Sequence, residues 1–270
     1  MSLRVDPSAS FRSAVAARGR ASVGMWVVSG SPVAAEICAG SGLDWLIIDT
    51  EHAPNGLESV LAQLHAASGY PVHSVVRLPA VDPVAMKQML DLGATTVLVP
   101  MVNTREQAER VAASAAYPPE GIRGVGSALA RSARWNRVGD YLLEARDGIT
   151  VLVQIETEEA VRNAAEIAAV AGVDGVFIGP SDLAASMGLI GQQDHPAVVE
   201  AVLSTIAAVR AAGVPVGVNA FAPATADRYL AAGVDFILVG ADVALLARGG
   251  EALAARYLPQ PAPESPRASY

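Results

Sequence analysis

Eight short apolar runs rich in β-branched residues recur along the 270-residue chain, at 23–28, 45–49, 73–77, 96–100, 150–155, 174–178, 215–218 and 235–239. Between and after them, Ala/Leu-rich stretches with apolar positions three and four apart predict helices at 31–40, 57–68, 82–92, 104–115, 157–170, 197–212, 223–232 and 242–256. The same punctuation enters several runs: Ser-Gly-Leu-Asp before Trp45, Leu-Gly-Ala before Thr95, and Ala-Gly-Val-Asp before Gly175 and before Phe236. Glycine after a helical stretch is the left-handed stop of a helix, so each signature marks a helix ending and a strand beginning. Strands apolar on both faces need cover on both sides, which a parallel sheet with crossover helices provides. Eight such βα units in about 250 residues predict a single α/β domain of the TIM (β/α)8 barrel class over 1–257. Periodicity cannot show closure, and an open doubly wound sheet is the alternative.

Composition narrows the function classes. With 52% hydrophobic residues the chain can fill a large core, yet no apolar run reaches the ~20 residues that span a bilayer. A net charge of −8 and no basic block argue against a nucleic-acid partner. The N-terminus lacks the continuous apolar stretch of a secretory signal, and a single cysteine, Cys38, excludes an intrachain disulfide framework; both point to the cytoplasm. Cys38 falls at a packed helix position and reads as core. Residues 258–270 are Pro-rich with little to bury and read as a disordered tail. The long connection 101–149 reads as a functional insertion, a lid or a subunit contact.

Reactive side chains in a barrel of this class belong at the carboxyl ends of the strands. Asp49, Glu51 and His52 follow the second run, Arg77 ends the third, Gln154 and Glu156 close the fifth, and Ser181 and Asp182 follow the sixth. Side chains alternate along a strand, so Gln154 and Glu156 face one way. Glu156 and Asp182, at neighbouring strand ends, can hold one hard divalent cation and leave its other positions to water and substrate oxygens. Arg77 leaves an apolar strand and needs an anionic partner, which a carboxylate or enolate substrate or a salt bridge supplies. Asp49 alone would read as the start of a turn, but His52 beside it favours a functional role. His65 and His73 read as structural and His195 as loop. Lys87 is the only lysine and lies in a helical stretch, which argues against an imine mechanism. Gly124 and Gly126 lack the third glycine of a dinucleotide fingerprint and read as a turn.

Taken together, DWLIIDTEHAPN at 44–55, VRLP at 76–79, KQMLD at 87–91, LVPMV at 98–102, the insertion 117–136, VQIET at 153–157 and FIGPSDL at 177–183 resemble the HpcH/HpaI aldolases, the metal-dependent class II pyruvate aldolases, over about residues 12–257. The resemblance implies reversible addition of an enolate of pyruvate or hydroxypyruvate to an aldehyde, giving a 4-hydroxy-2-keto acid, with Mg2+, Mn2+ or Co2+ held by Glu156 and Asp182. It implies that Arg77 stabilises charge on the keto oxygen, that Asp49 orients water at the metal, and that Gln154 lines the keto-acid pocket. His52 with Asp91 matches an acid–base dyad, the alternative proton carrier being water at the metal. Helix periodicity places Asp91 away from the catalytic face of its own barrel, so that role requires a subunit contact. Ser181 and Asn219 fall where relatives vary, on the aldehyde side. The resemblance also implies exchange of the last helix between paired subunits and a hexamer built as a trimer of such dimers. A coenzyme A ester lyase of the citrate lyase β-subunit type is the alternative enzyme, although it needs a basic groove. Phosphoenolpyruvate mutase and isocitrate lyase relatives carry a Lys-Cys-Gly-His type loop that is absent here, and a barrel serving only as a binding module is the non-enzymatic alternative.

Overall fold

The computed structural model describes residues 10–259, and the expected tail beyond Pro259 lies outside them. From the N-terminus come α1 (Phe11–Ala17), β1 (Ser22–Val27), α2 (Pro32–Ala39), β2 (Trp45–Asp49), α3 (Leu57–Ala67), β3 (His73–Arg77), α4 (Pro83–Asp91), β4 (Thr96–Val99) and α5 (Arg105–Ala115). Two 3-10 turns and α6 (Tyr141–Glu144) occupy the long connection before β5 (Thr150–Ile155). Then follow α7 (Glu158–Arg162), α8 (Ala164–Ala168), β6 (Gly175–Ile178), α9 (Pro180–Ser186), α10 (Pro196–Ala211), β7 (Val216–Asn219), α11 (Pro223–Ala231), β8 (Phe236–Ala241) and α12 (Asp242–Tyr257).

The eight strands pair in parallel, each with its neighbours in sequence, and β1 closes on β8, so the sheet is a closed barrel and the open-sheet alternative is excluded. The strands match the apolar runs to within two residues at either end. Their two faces pack separately. Val76, Val97, Val151, Val153 and Val176 point outward into the layer shared with the helices. Trp26, Trp45, Ile47, Val75, Leu98, Leu152, Phe177 and Phe236 fill the interior. Gly24 leaves room for Trp45 there, since a Cβ on it would come 2.6 Å from the indole ring.

Period two then dictates what stands above that interior. Inward Trp45 and Ile47 lead to Asp49, inward Val75 leads to Arg77, and inward Leu152 leads to Gln154 and Glu156. The polar groups are therefore the top layer of the barrel core at the strands' carboxyl ends.

Three elements depart from the sequence expectation. The helix at 157–170 is two short helices broken at Asn163, whose side-chain amide donates to Asn103 O at 2.8 Å. Helix α9 lies between the sixth run and the helix read at 197–212, where the sequence reading assigned no element, and it begins within the FIGPSDL segment. Helix α1 precedes the barrel and plugs its amino-terminal end, with the Phe11 ring 5.4 Å from Trp45 and 5.5 Å from Phe236. Cys38 is buried on α2 and burial pushes its thiol pKa up, as a core cysteine requires. No helix among the described residues is long and apolar enough to cross a membrane.

Candidate active site

Parallel register aligns Asp49 with Arg77 across β2 and β3. The guanidinium takes the Asp49 carboxylate in a fork, Nε to Oδ1 and Nη2 to Oδ2, both at 2.8 Å. Both side chains are almost wholly buried, at 7% and 2% exposure. The same carboxylate accepts from the backbone N–H of Glu51 at 3.0 Å and of His52 at 3.3 Å, so it also fixes the turn that leaves β2. Glu51 approaches the third guanidinium nitrogen, its Oε2 2.9 Å from Nη1, as an ion pair without hydrogen-bond alignment. Trp26 lies against the guanidinium face, with the ring centroid 4.3 Å from Cζ. Arg77 is thus held at its edges by two carboxylates, Asp49 through a hydrogen-bonded fork and Glu51 as an ion pair, and on its face by an indole.

Glu156 is the second focus. Its Oε1 accepts from the Met101 N–H at 2.7 Å, and its Oε2 accepts from Gln154 Nε2. Met101 adopts a left-handed backbone, φ 56°, as it turns that N–H onto the carboxylate. Gly179 at the end of β6 completes the arrangement: a Cβ there would come 2.8 Å from Glu156 Oε2, so only glycine lets the start of α9 approach so closely. Asp182 stands in the first turn of α9, exposed, where the amino-terminal end of a helix favours negative charge. Burial raises the Glu156 pKa to about 7 against the pull of the two hydrogen bonds, and the charges of Asp182 and Glu51 add to the rise. Burial also raises the pKa of Glu51, offset by Arg77 and reinforced by Asp49 and Asp182. Glu156, Asp182 and Glu51 consequently share one electrostatic site.

That donor set fits a hard divalent ion. Two carboxylates that repel each other lower their shared cost by gathering around positive charge, and Gln154 Oε1 is a buried oxygen with no partner. No set of three or more His, Cys, Asp or Glu is grouped as a metal cage among the described residues.

The remaining candidates divide. His52 sits at the mouth, its side chain 65% exposed and Nε2 3.8 Å from Glu51 Oε1. Ser181 joins α9 to the following loop by donating to Gln193 Oε1 at 2.6 Å. Asp91 is not brought to His52 within this chain: it ends α4, which runs back along the barrel, and pairs with the buried Arg123 at 2.7 Å. Lys87 also lies on α4, with its side chain against Gly124, away from the strand ends. The sequence reading gave Trp26 and Met101 no role and Glu51 only a place. The inward parity of Trp26 could have pointed to it, whereas the Met101 N–H carries no side-chain signal.

Residues 22–249 match the family described as HpcH/HpaI aldolase/citrate lyase. A 4-hydroxy-2-oxo-heptane-1,7-dioate aldolase of Salmonella arizonae is 53% identical over 248 residues, covering 92% of this chain and 94% of its own. Among solved structures, an HpcH/HpaI aldolase/citrate lyase family protein of Burkholderia cenocepacia J2315 superposes with a TM-score of 0.87 at 39% identity, over 91% of this chain and 97% of that one. An HpcH/HpaI aldolase of Desulfitobacterium hafniense DCB-2 gives 0.83 at 31% identity, over 95% and 100%. A closed eight-stranded barrel, acids and one arginine stacked on its interior, and these likenesses over nine-tenths of the chain lead to one conclusion: the protein belongs to the HpcH/HpaI aldolase/citrate lyase family.

Proposed function

We propose that this protein is a cytoplasmic, divalent-metal-dependent class II aldolase that cleaves and forms 4-hydroxy-2-keto acids, with pyruvate or hydroxypyruvate as the keto-acid partner and an aldehyde as the other. The observation that carries the reading is the desolvated Glu156 carboxylate beside Asp182, in the same mouth as a clamped Arg77. Glu156 and Asp182 would hold Mg2+, Mn2+ or Co2+. When bound, such an ion polarises the 2-keto group and offsets the negative charge that develops on its oxygen.

The chain's own residues supply the rest. Arg77, fixed by Asp49 and Trp26, presents its remaining N–H groups to the keto oxygen, where preorganised donors lower the barrier most. Gln154 holds the Glu156 carboxylate through Nε2 and keeps Oε1 free to accept from substrate. Asp49 acts through Arg77 and through the turn bearing Glu51 and His52, and so governs how water and substrate are ordered at the mouth. His52, exposed above the site, carries the proton between the keto-acid methyl carbon and solvent. Ser181, at the start of α9, lines the aldehyde side.

Assembly belongs to the same proposal. Only Asp242 of α12 is buried, where it accepts from Val28 N and Ser29 N, while Leu245, Leu246, Leu253 and Tyr257 are exposed by more than 60%. An apolar helix held at one end suits exchange with a paired copy, and the hexamer built from such pairs would carry Asp91 to the His52 of a neighbouring subunit.

The test is cleavage of a 4-hydroxy-2-keto acid assayed with and without EDTA. Activity is expected to vanish with the chelator and to return with Mg2+, Mn2+ or Co2+. Borohydride with pyruvate should trap nothing on Lys87, and a covalent adduct there would overturn the metal route. The citrate lyase half of the family name makes a coenzyme A thioester the control substrate, for which no turnover is expected.

A further inference from the structure

Trp26 is not only a wall of the site. Its ring face lies 4.3 Å from the centre of the Arg77 guanidinium, and its edge donates from Nε1 to Asn219 Oδ1 at 2.9 Å. The indole is 8% exposed, so the contact with the cation is largely dry, the setting in which a ring face attracts a guanidinium most. Asn219 is the last residue of β7, Trp26 stands one residue from the end of β1, and Arg77 is the last of β3. One interaction chain therefore crosses the top of the barrel, joining three strands that do not pair with one another.

We propose that Trp26 and Asn219 are positioning residues for Arg77, an inference that rests on the aldolase reading above. Asp49 fixes one edge of the guanidinium, and Glu51 lies 2.9 Å from its third nitrogen without an aligned hydrogen bond, which leaves the face of the group to be held. The indole lies on that face. The indole in turn meets Phe177 only through an apolar ring contact, at 77° and 6.4 Å, which has no directional polar bond to fix its rotation. The hydrogen bond to Asn219 supplies one. An apolar residue of similar size at 219 would fill the space yet leave the indole N–H unpaired and the ring unpinned.

The test is a double-mutant cycle read by deuterium exchange at C3 of pyruvate, with kcat and KM for pyruvate taken separately. Trp26→Phe keeps a ring over the guanidinium and removes the N–H. Asn219→Leu is expected to slow exchange severalfold and to raise KM, with a fall in melting temperature no larger than one lost buried hydrogen bond gives. Trp26→Phe should give a loss of similar size, and Asn219→Leu added to Trp26→Phe should cost nothing further. Trp26→Leu, which removes the ring, should lose about tenfold or more, in line with a desolvated cation–π contact. If Asn219→Leu does not fold, Asn219→Ser, too short to reach the indole, takes its place. Equal losses from the Asn219 change in the wild-type and Trp26→Phe backgrounds would overturn the proposal. So would full exchange by Trp26→Leu. Wild-type protein that exchanges no deuterium would instead overturn the aldolase reading on which the proposal rests.

Discussion

A carboxylate whose pKa rises from 4.5 to about 7 on folding costs stability wherever it is ionised. Glu156 therefore contributes stability that is fully present below pH 4.5 and is lost as pH climbs through about 7, a swing on the order of 3 kcal/mol at most for a carboxyl this buried. Metal-stripped protein should accordingly melt at a higher temperature at pH 6 than at pH 8, as far as this group decides, and added Mn2+ should raise the melting temperature more at pH 8. Glu156→Gln removes the charge while keeping the shape, so its chelated form should lose that dependence between pH 6 and 8; differential scanning calorimetry reads both. Arg77 answers to geometry more than to charge. Lysine keeps the charge but cannot form the two parallel bonds to Asp49, so Arg77→Lys should lower kcat by about a hundredfold or more, as removal of an aligned donor to a developing oxyanion does. Near wild-type kcat in the Arg77→Lys variant would mean that Arg77 does not touch the reacting oxygen.

At the scale of the element, what the sequence made legible follows from what each element buries. The strands were visible because they are apolar on both faces and are entered by Gly and Asp signals, and the inward parity of Gln154 and Glu156 followed from the same runs. Helices α1 and α9 were not, being seven residues each and too short for a periodic stripe to repeat. The break at Asn163 escaped because an Asn inside an Ala-rich stretch reveals its bond to Asn103 only once β4 and β5 lie side by side. The fork between Arg77 and Asp49 needs strand register, which no local pattern supplies, and so does the contact of Trp26 with Arg77, although the inward parity of Trp26 could be read. The closeness of β6 to Glu156 was equally invisible and has its own consequence. Gly179→Ala would press a methyl onto Glu156 Oε2 and force either the carboxylate or the start of α9 to move. The variant is expected to bind Mn2+ at least tenfold more weakly by calorimetry and to lose about 1–3 kcal/mol of stability, the usual cost of overpacking. Unchanged Mn2+ affinity would show that the ion does not sit between Glu156 and the start of α9.

Over the whole molecule, the barrel separates duties between its ends. The amino-terminal end is closed by α1 and by ion pairs, Arg12 with Asp174 at 2.7 Å and Arg20 with Asp44 at 2.6 Å, whereas the carboxyl end keeps its charged groups around an open mouth. The exposed apolar side of α12 belongs to this scale as well. Replacing Leu245 and Leu246 together with Asp should leave the barrel folded by circular dichroism while light scattering reports a smaller assembly; an unchanged mass would remove α12 from the interface. The proposed enolate chemistry depends on Glu156 and Asp182 serving one ion. The most direct measurement is deuterium exchange at C3 of pyruvate, followed by NMR in deuterated buffer, with metal-stripped protein titrated with Mn2+. Exchange should be absent without the ion, rise to saturation at one equivalent per chain, and stay absent in Glu156→Gln and Asp182→Asn. Exchange that proceeds in EDTA, or that survives loss of both carboxylates, would contradict it.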